Sequence, residues 1–455
     1  DQYYAYASSS ESDELPIIIN DPDLEVQLVT DGLEFPTGMA FLGSEDILVT
    51  EKDTGEVKRI INGELLEEPL LDVKVANEAE RGLLGIAVSK KHNLANIPSG
   101  SVTNDVANVF LFFTESSDEE DGSDNCDRVN YCSSNGNPLG HRIYKYNFEG
   151  EKLANRQLLL DIPPNRGADH LGGNLLVGPD NNVYLVTGDG DSCEYDSCEE
   201  GVYHSSVYAQ TANFDKGDPP QGRGGIIRIT QDGNIVSDGN GKGILGEDHP
   251  LDMYYAYGIR NSFGMDFDPV TGNLWDTENG PGFGDELNLV RPGFNSGWAR
   301  VQGVWPISDY DLLDPTPQMD GYFDDAASIF EMPEGLVDFN NKGEYSNPEF
   351  TWNIPVGVTA VKFLSSDKLG KQFENDLFVG DIKNGNLYLF DLTEDRTTLS
   401  LAEELADNVA DDEEELEEVL FAEGFGGVTD IEVGPDGYLY VLSANGSLYK
   451  IIGRS

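Results

Sequence analysis

The clearest regularity along the chain is an apolar run, a polar turn and a second apolar run, repeated over most of its length. "HLGGNLLVGPDNNVYLVTGD", His170 to Asp189, is the best-formed copy. A Gly-Gly turn leads into one strand, a Gly-Pro-Asp turn into a second, and the second ends in an aspartate. A tight hairpin folds the nineteen-residue separation back on itself, placing His170 and Asp189 at the ends of adjacent antiparallel strands.

The second strand of this unit recurs as "DILVTE" from Asp46, "NVFLFFTE" from Asn108, "NVYLVTGD" from Asn182, "NLWDTENG" from Asn273, "NDLFVGD" from Asn375 and "GYLYVLS" from Gly437. Each follows a first strand ("TGMAFL" from Thr37 is the earliest). Each also precedes an alternating third strand, such as "EVKRII" from Glu56 or "GIIRIT" from Gly225. Six short sheets that cannot bury their faces alone call for radial repetition, so the expectation is an all-β, six-bladed β-propeller spanning residues 24–455. The last unit stops at "SLYKII", while "LEVQLVTD" from Leu24 has no earlier partner; it is predicted to pair into the last blade and close the ring. Residues 1–23 read as a flexible arm or assembly segment whose Ile17–Ile19 could mediate self-association.

The excess length lies in insertions at about 116–140, 191–222, 303–347 and 393–421. In the last, Leu405, Val409, Leu416 and Leu420 stand near helical spacing and predict an acidic surface helix.

Charge changes the picture. Against 28 basic residues there are 84 acidic ones, a net charge of −56, which argues against binding nucleic acid or anionic lipid. Most of that acidity reads as a solvated face, with divalent-cation binding the sharper alternative. Four cysteines fall in two close pairs, Cys126 with Cys132 and Cys193 with Cys198, without zinc-site spacing. They suggest two local disulfides, with cross-pairing left open, in an oxidising compartment. The chain begins at Asp1 without Met or a charged leader, so the expected location is extracellular or at the cell surface, after removal of a signal peptide. The Asn445-Gly446-Ser447 sequon points the same way, and no apolar run is long enough to span a bilayer.

Five histidines, none at the i, i+4 spacing of a helical metal site, and the absence of a G-x-S-x-G elbow leave little room for those chemistries. "GPGFGDE" from Gly280 lacks the strand-to-helix context of a dinucleotide fingerprint. The polar residues at the starts of first strands and ends of second strands remain: Glu80, Arg81, His170, Asp189, Arg260, Asn261, Glu278 to Pro281, and Lys383. In a propeller these positions converge on one rim of the central channel, where they would form a site.

Several strings carry a family resemblance: "ERGLLGIAVS", "HLGGNLLVGPDNNVYLVTGD", "YAYGIRNSFGMDFDPVTGNLWDTENGPGFGDELNLV", "PGFNSGW" and "GPDGYLYVLS". Together, and in this order, they resemble the soluble glucose/sorbosone dehydrogenases, propellers that use pyrroloquinoline quinone (PQQ) and calcium. The resemblance implies His170 as general base on the sugar's anomeric hydroxyl, with hydride passing to the quinone, and Asp189 as the carboxylate that orients it. It implies Arg260 and Asn261 at the quinone oxygens, Glu80 beside the cofactor and Lys383 paired with it. The backbone carbonyls of Gly280 and Pro281 would hold calcium. The sequence departs from the family in the last blade, where Gly427-Val428-Thr429-Asp430 replaces an Arg-x-Arg-Asp string, and at Phe263 and Ile259, which replace a Gln and a His. Losing two cations should weaken the hold on a tricarboxylate. Two functions therefore compete: a secreted, calcium-dependent PQQ sugar dehydrogenase passing electrons to an acceptor, and a non-catalytic, calcium-stabilised propeller serving binding, adhesion or assembly.

Overall fold

Second strands such as "VYLVT" are almost wholly apolar. In the structure Val183–Thr187, Leu274–Glu278, Leu377–Asp381 and Leu439–Ser443 are buried at every position, because sheets pack on both of their faces. Outer strands face water on one side and alternate or lose their pattern; Leu153–Ile162 is exposed over its middle. The computed structural model describes residues 16–90, 106–117, 138–164, 168–190, 209–214, 219–237, 242–307 and 335–454. The four cysteines and the expected disulfides lie outside these residues, as do residues 1–15 of the arm.

The fold is an all-β propeller. Its described strands form six sheets of four to six strands and one two-stranded hairpin, Val301–Gln302 with Trp305–Pro306. Apart from the N-terminal strands Ile18–Ile19 and Leu24–Thr30, the strands of each large sheet lie in chain order, as in Leu175–Val177, Val183–Thr187, Gly225–Ile229 and Tyr254–Tyr257. The first strands of the six sheets touch one another in a ring: Pro36–Gly43, Leu83–Lys90, Leu175–Val177, Gly264–Phe267, Val358–Phe363, Val428–Val433, and back to Pro36–Gly43. Leu24–Thr30 pairs antiparallel with Leu448–Gly453, with Leu24 opposite Gly453 and Val26 opposite Ile451. Ile18–Ile19 adds to the outer edge of the fifth sheet, opposite Glu423 and Ala422, so this sticky segment is laid on the chain's own edge.

The Gly-Pro-Asp turns repeat in detail. Asp180 accepts the Asn182 N–H at 3.1 Å and the Tyr184 hydroxyl at 2.9 Å. Asp436 takes the Tyr438 N–H at 3.3 Å and the Tyr440 hydroxyl at 3.0 Å. A short acceptor at that position ties the turn to the strand it starts.

The acidic helix expected between 393 and 421 shrinks to one turn, Glu413–Glu417, capped by Asp412. Leu405 sits in a 3-10 turn and Val409 in a strand parallel to Phe350–Trp352. Edge pairing on the fourth sheet outweighs helix propensity in a run of like charges.

Where the first strands meet, Lys362 donates to Asp266 at 3.2 Å and pairs with Glu432 at 2.8 Å, linking the fourth, fifth and sixth sheets. Burial opposes the ammonium charge, but Asp266, Glu432 and Asp430 outweigh it and hold the lysine firmly protonated. Among the described residues no helix is long and apolar enough to cross a membrane.

Candidate active site

His170 has φ +56°, a left-handed conformation that histidine tolerates better than branched residues. The turn is pinned by Gly190 N–H donating to the His170 carbonyl at 3.1 Å. A Cβ at Gly188 would stand 2.3 Å from that carbonyl oxygen, so only glycine fits there. This geometry brings the imidazole Nδ1 to 2.8 Å from Asp189 Oδ1. The second carboxylate oxygen of Asp189 accepts the Trp298 indole N–H at 2.7 Å. Burial acts to raise the Asp189 carboxyl, yet His170, Arg260 and Trp298 outweigh it and hold it below the ordinary aspartate value.

The strand ends knit the neighbouring sheets onto this pair. Asp189 N–H donates to the Arg260 carbonyl at 2.8 Å. The Arg260 guanidinium donates to the carbonyls of Asn279 at 2.9 Å and Gly280 at 3.1 Å, and stands 5.4 Å from the Trp298 ring centre. Asn261 donates to Glu80 at 3.1 Å and accepts Gly172 N–H at 3.2 Å, while Glu80 accepts Leu171 N–H at 3.1 Å. Burial raises the Glu80 carboxyl, with His170 opposing. His170, Asp189, Arg260, Asn261, Glu80 and Gly280 therefore form one bonded cluster.

Other candidates sit apart. Lys383 donates to the Pro355 carbonyl at 3.2 Å, and no described hydrogen bond or ion pair joins it to the cluster. Pro281, half-buried, follows Gly280 in the turn. Arg81 pairs with Glu78 at 3.0 Å. Arg223 lines a cavity beside His170 and donates to the Pro163 carbonyl at 2.6 Å. Ile259 belongs to the apolar core.

Sequence reasoning missed Trp298, Asp285, Glu286 and Ser296. The Trp298 signal lay in "PGFNSGW", where one indole stands among turn residues; its reach to Asp189, 109 positions away, is visible only in three dimensions. Behind Arg260, Glu278 accepts the Arg260 N–H at 2.7 Å, and the Ser296 hydroxyl lies 2.6 Å from Glu278 and 3.0 Å from Glu286. Burial raises both acids, and the Glu286 charge raises Glu278 further, so the pair favours retaining a proton.

Burial pushes Asp276 up to about 7 and Glu286 up to about 8. Above roughly pH 4 the unfolded chain releases protons that the folded chain retains, so stability declines as pH rises through these values. Asp189 and Asp268 run the other way: they are held low in the fold, and their contribution is lost below about pH 4. Urea midpoints are expected to peak near pH 5 and fall toward pH 8. A flat or rising profile over that window would contradict the assignment.

Arg260 Nε is buried and has no hydrogen-bond partner among the described residues, a donor placed to meet an added acceptor. An anionic quinone oxygen fits that need. Calcium fits less independently. The Gly280 carbonyl already receives Arg260, and among the described residues no group of three or more His, Cys, Asp or Glu could hold a metal. A hard cation taking six to eight oxygens would need an anionic ligand to complete its shell.

The profile of the glucose/sorbosone dehydrogenase family matches residues 33–311 and 330–450. The chain belongs to the glucose/sorbosone dehydrogenase family. It is similar to the aldose sugar dehydrogenase YliI of Escherichia coli, 24% identical over 440 residues that cover 95% of this chain and 94% of that protein. The crystal structure of the soluble E. coli aldose sugar dehydrogenase in its apo form superposes with a TM-score of 0.64 at 21% identity, covering 95% of this chain and all of that one. The PQQ-bound aldose sugar dehydrogenase of Streptomyces coelicolor gives 0.58 at 20% identity, over 95% of this chain and 98% of that one. At such identities the structural likeness is one of fold.

Proposed function

We propose that this family member is a PQQ-dependent dehydrogenase that oxidises an aldose at its anomeric carbon. The bonded set His170, Asp189 and Trp298, with Arg260 beside it offering a buried donor unpaired among the described residues, carries the proposal. Asp189 on Nδ1 sets the imidazole tautomer, so the basic lone pair lies on Nε2, where it can take the proton of the anomeric hydroxyl. When bound, the quinone supplies the hydride acceptor. Arg260 and Asn261 offer N–H groups where negative charge develops, and Lys383 adds a positive charge. Gly280 and Pro281 carbonyls would hold calcium together with the cofactor's oxygens. We read each of the six large sheets as one blade, with the Leu24–Thr30 strand closing the ring. The acidic surface and sequon support an extracellular setting.

One observation favours the non-catalytic alternative. Gly427 has φ +96°, and a Cβ there would stand 2.9 Å from the Ile382 carbonyl oxygen, so an arginine does not fit where the family has one.

Titration of the protein with PQQ and calcium, followed by dye reduction with a panel of aldoses, separates the two. Cofactor uptake at micromolar concentration with aldose-dependent reduction is expected. Absence of uptake, with chelation still lowering thermal stability, would leave only the binding-module reading standing.

A further inference from the structure

Asp285 opens the third strand of the fourth sheet, fully buried and opposite Trp352 in register. Its Oδ1 accepts the Gly280 N–H at 2.9 Å. Its Oδ2 accepts three consecutive backbone N–H groups, those of Val356 at 3.0 Å, Gly357 at 2.7 Å and Val358 at 3.4 Å. One carboxylate thus ties together two rim segments from different sheets. A charged acceptor facing backbone N–H groups in a dry site makes strong bonds, and removing it leaves buried donors unpaired.

Each tied segment holds a cation. On one side, the Gly280 carbonyl receives the Arg260 guanidinium at 3.1 Å, and the turn that carries it is tight: a Cβ at Gly280 would meet the Phe283 oxygen at 1.8 Å. On the other side, the Pro355 carbonyl receives the Lys383 ammonium at 3.2 Å, while Val356 and Gly357 carbonyls take the N–H groups of Lys383 at 3.3 Å and Ile382 at 2.9 Å. Arg260 and Lys383 share no direct contact among the described residues. Asp285 links the two segments through four backbone N–H groups, beside the Asn279 side chain, which donates to the Val358 carbonyl at 2.8 Å.

We propose that Asp285 is a positioning residue that sets the spacing between Arg260 and Lys383 by clamping the Gly280 turn to the 356–358 segment. The need is greater in this chain than in one with more site cations, because Gly427 and Thr429 contribute none. A polyanionic ligand held by few cations depends steeply on their being correctly placed beforehand. The clamp stands on geometry; its consequence for cofactor binding rests on the function proposed above.

The test uses the full chain in two arms. Hydrogen–deuterium exchange of the cofactor-free protein reports the clamp. In Asp285→Asn, amides at Gly280 and 356–358 are expected to exchange at least about tenfold faster. In Asp268→Asn, which removes an equally buried carboxylate at the opposite end of the same sheet, they should keep wild-type rates. PQQ titration reports the consequence: the dissociation constant should rise at least about tenfold in Asp285→Asn and stay at the wild-type value in Asp268→Asn. Unchanged exchange at those amides in Asp285→Asn, or equal loss of affinity in both variants, would overturn the proposal. Should Asp285→Asn not fold, the wild type still decides, since rapid exchange of those four amides is incompatible with the clamp. If the wild type takes up no PQQ, the proposed function falls while the exchange arm still judges Asp285.

Discussion

His170→Ala should lower aldose oxidation in the reconstituted protein by about 10²–10⁴ in kcat, with a destabilisation of about 1–3 kcal/mol from the buried Asp189 carboxylate it leaves behind. His170 is part-exposed and Asp189 keeps the Trp298 bond when the imidazole is removed, but the buried carboxylate loses its imidazole partner, which accounts for the moderate destabilisation. The catalytic loss is large because nothing else in the cluster can replace the base. Glu80 is committed to Asn261 and Leu171, and Asp189 lies behind the imidazole. Cofactor affinity should change far less than kcat, since Arg260, Asn261 and Lys383 are untouched. Dye-linked turnover beside a cofactor titration separates the two quantities. A variant retaining a tenth or more of wild-type kcat would remove His170 from the role of base.

Lys362→Met should destabilise the fold by about 2–4 kcal/mol while leaving the rim intact. Breaking a buried ion pair from one side costs about 3–5 kcal/mol, because the partner charge is left uncompensated. The lower figure applies here because 18% of the Lys362 side chain and 30% of the Glu432 side chain still meet solvent. Three carboxylates, Asp266, Asp430 and Glu432, lose their common cation. Burial already raises Asp430 and Glu432, so protonation relieves the variant: its deficit should shrink at pH 5 relative to pH 8. Urea denaturation at both pH values measures this. A deficit below about 0.5 kcal/mol at pH 8 would show that the channel charges are independently solvated.

Much of the architecture was legible because strand signals are local. The first, second and third strands named from the apolar pattern all fall on strands of the structure, from Pro36–Gly43 to Leu448–Gly453. Fourth strands such as Phe350–Trp352 and Leu420–Glu423 were not named, since an outer strand carries half the burial and a weaker pattern. The acidic helix misled because apolar spacing cannot reveal that an open sheet edge competes for the same residues.

The site divides along the same line. The pairing of His170 with Asp189 follows from one hairpin, and the neighbouring Arg260-Asn261 step was readable as a motif. Trp298 behind Asp189, the Ser296 bridge between Glu278 and Glu286, and Asp285 reaching from Gly280 to Val358 join residues tens of positions apart. Periodicity and turn chemistry act over a few residues, so the order of strands, the hairpins and the polar character of their ends are properties of the linear chain. Which acid meets which donor depends on how separate sheets are brought together, and only the packing of the propeller's sheets against one another settles that.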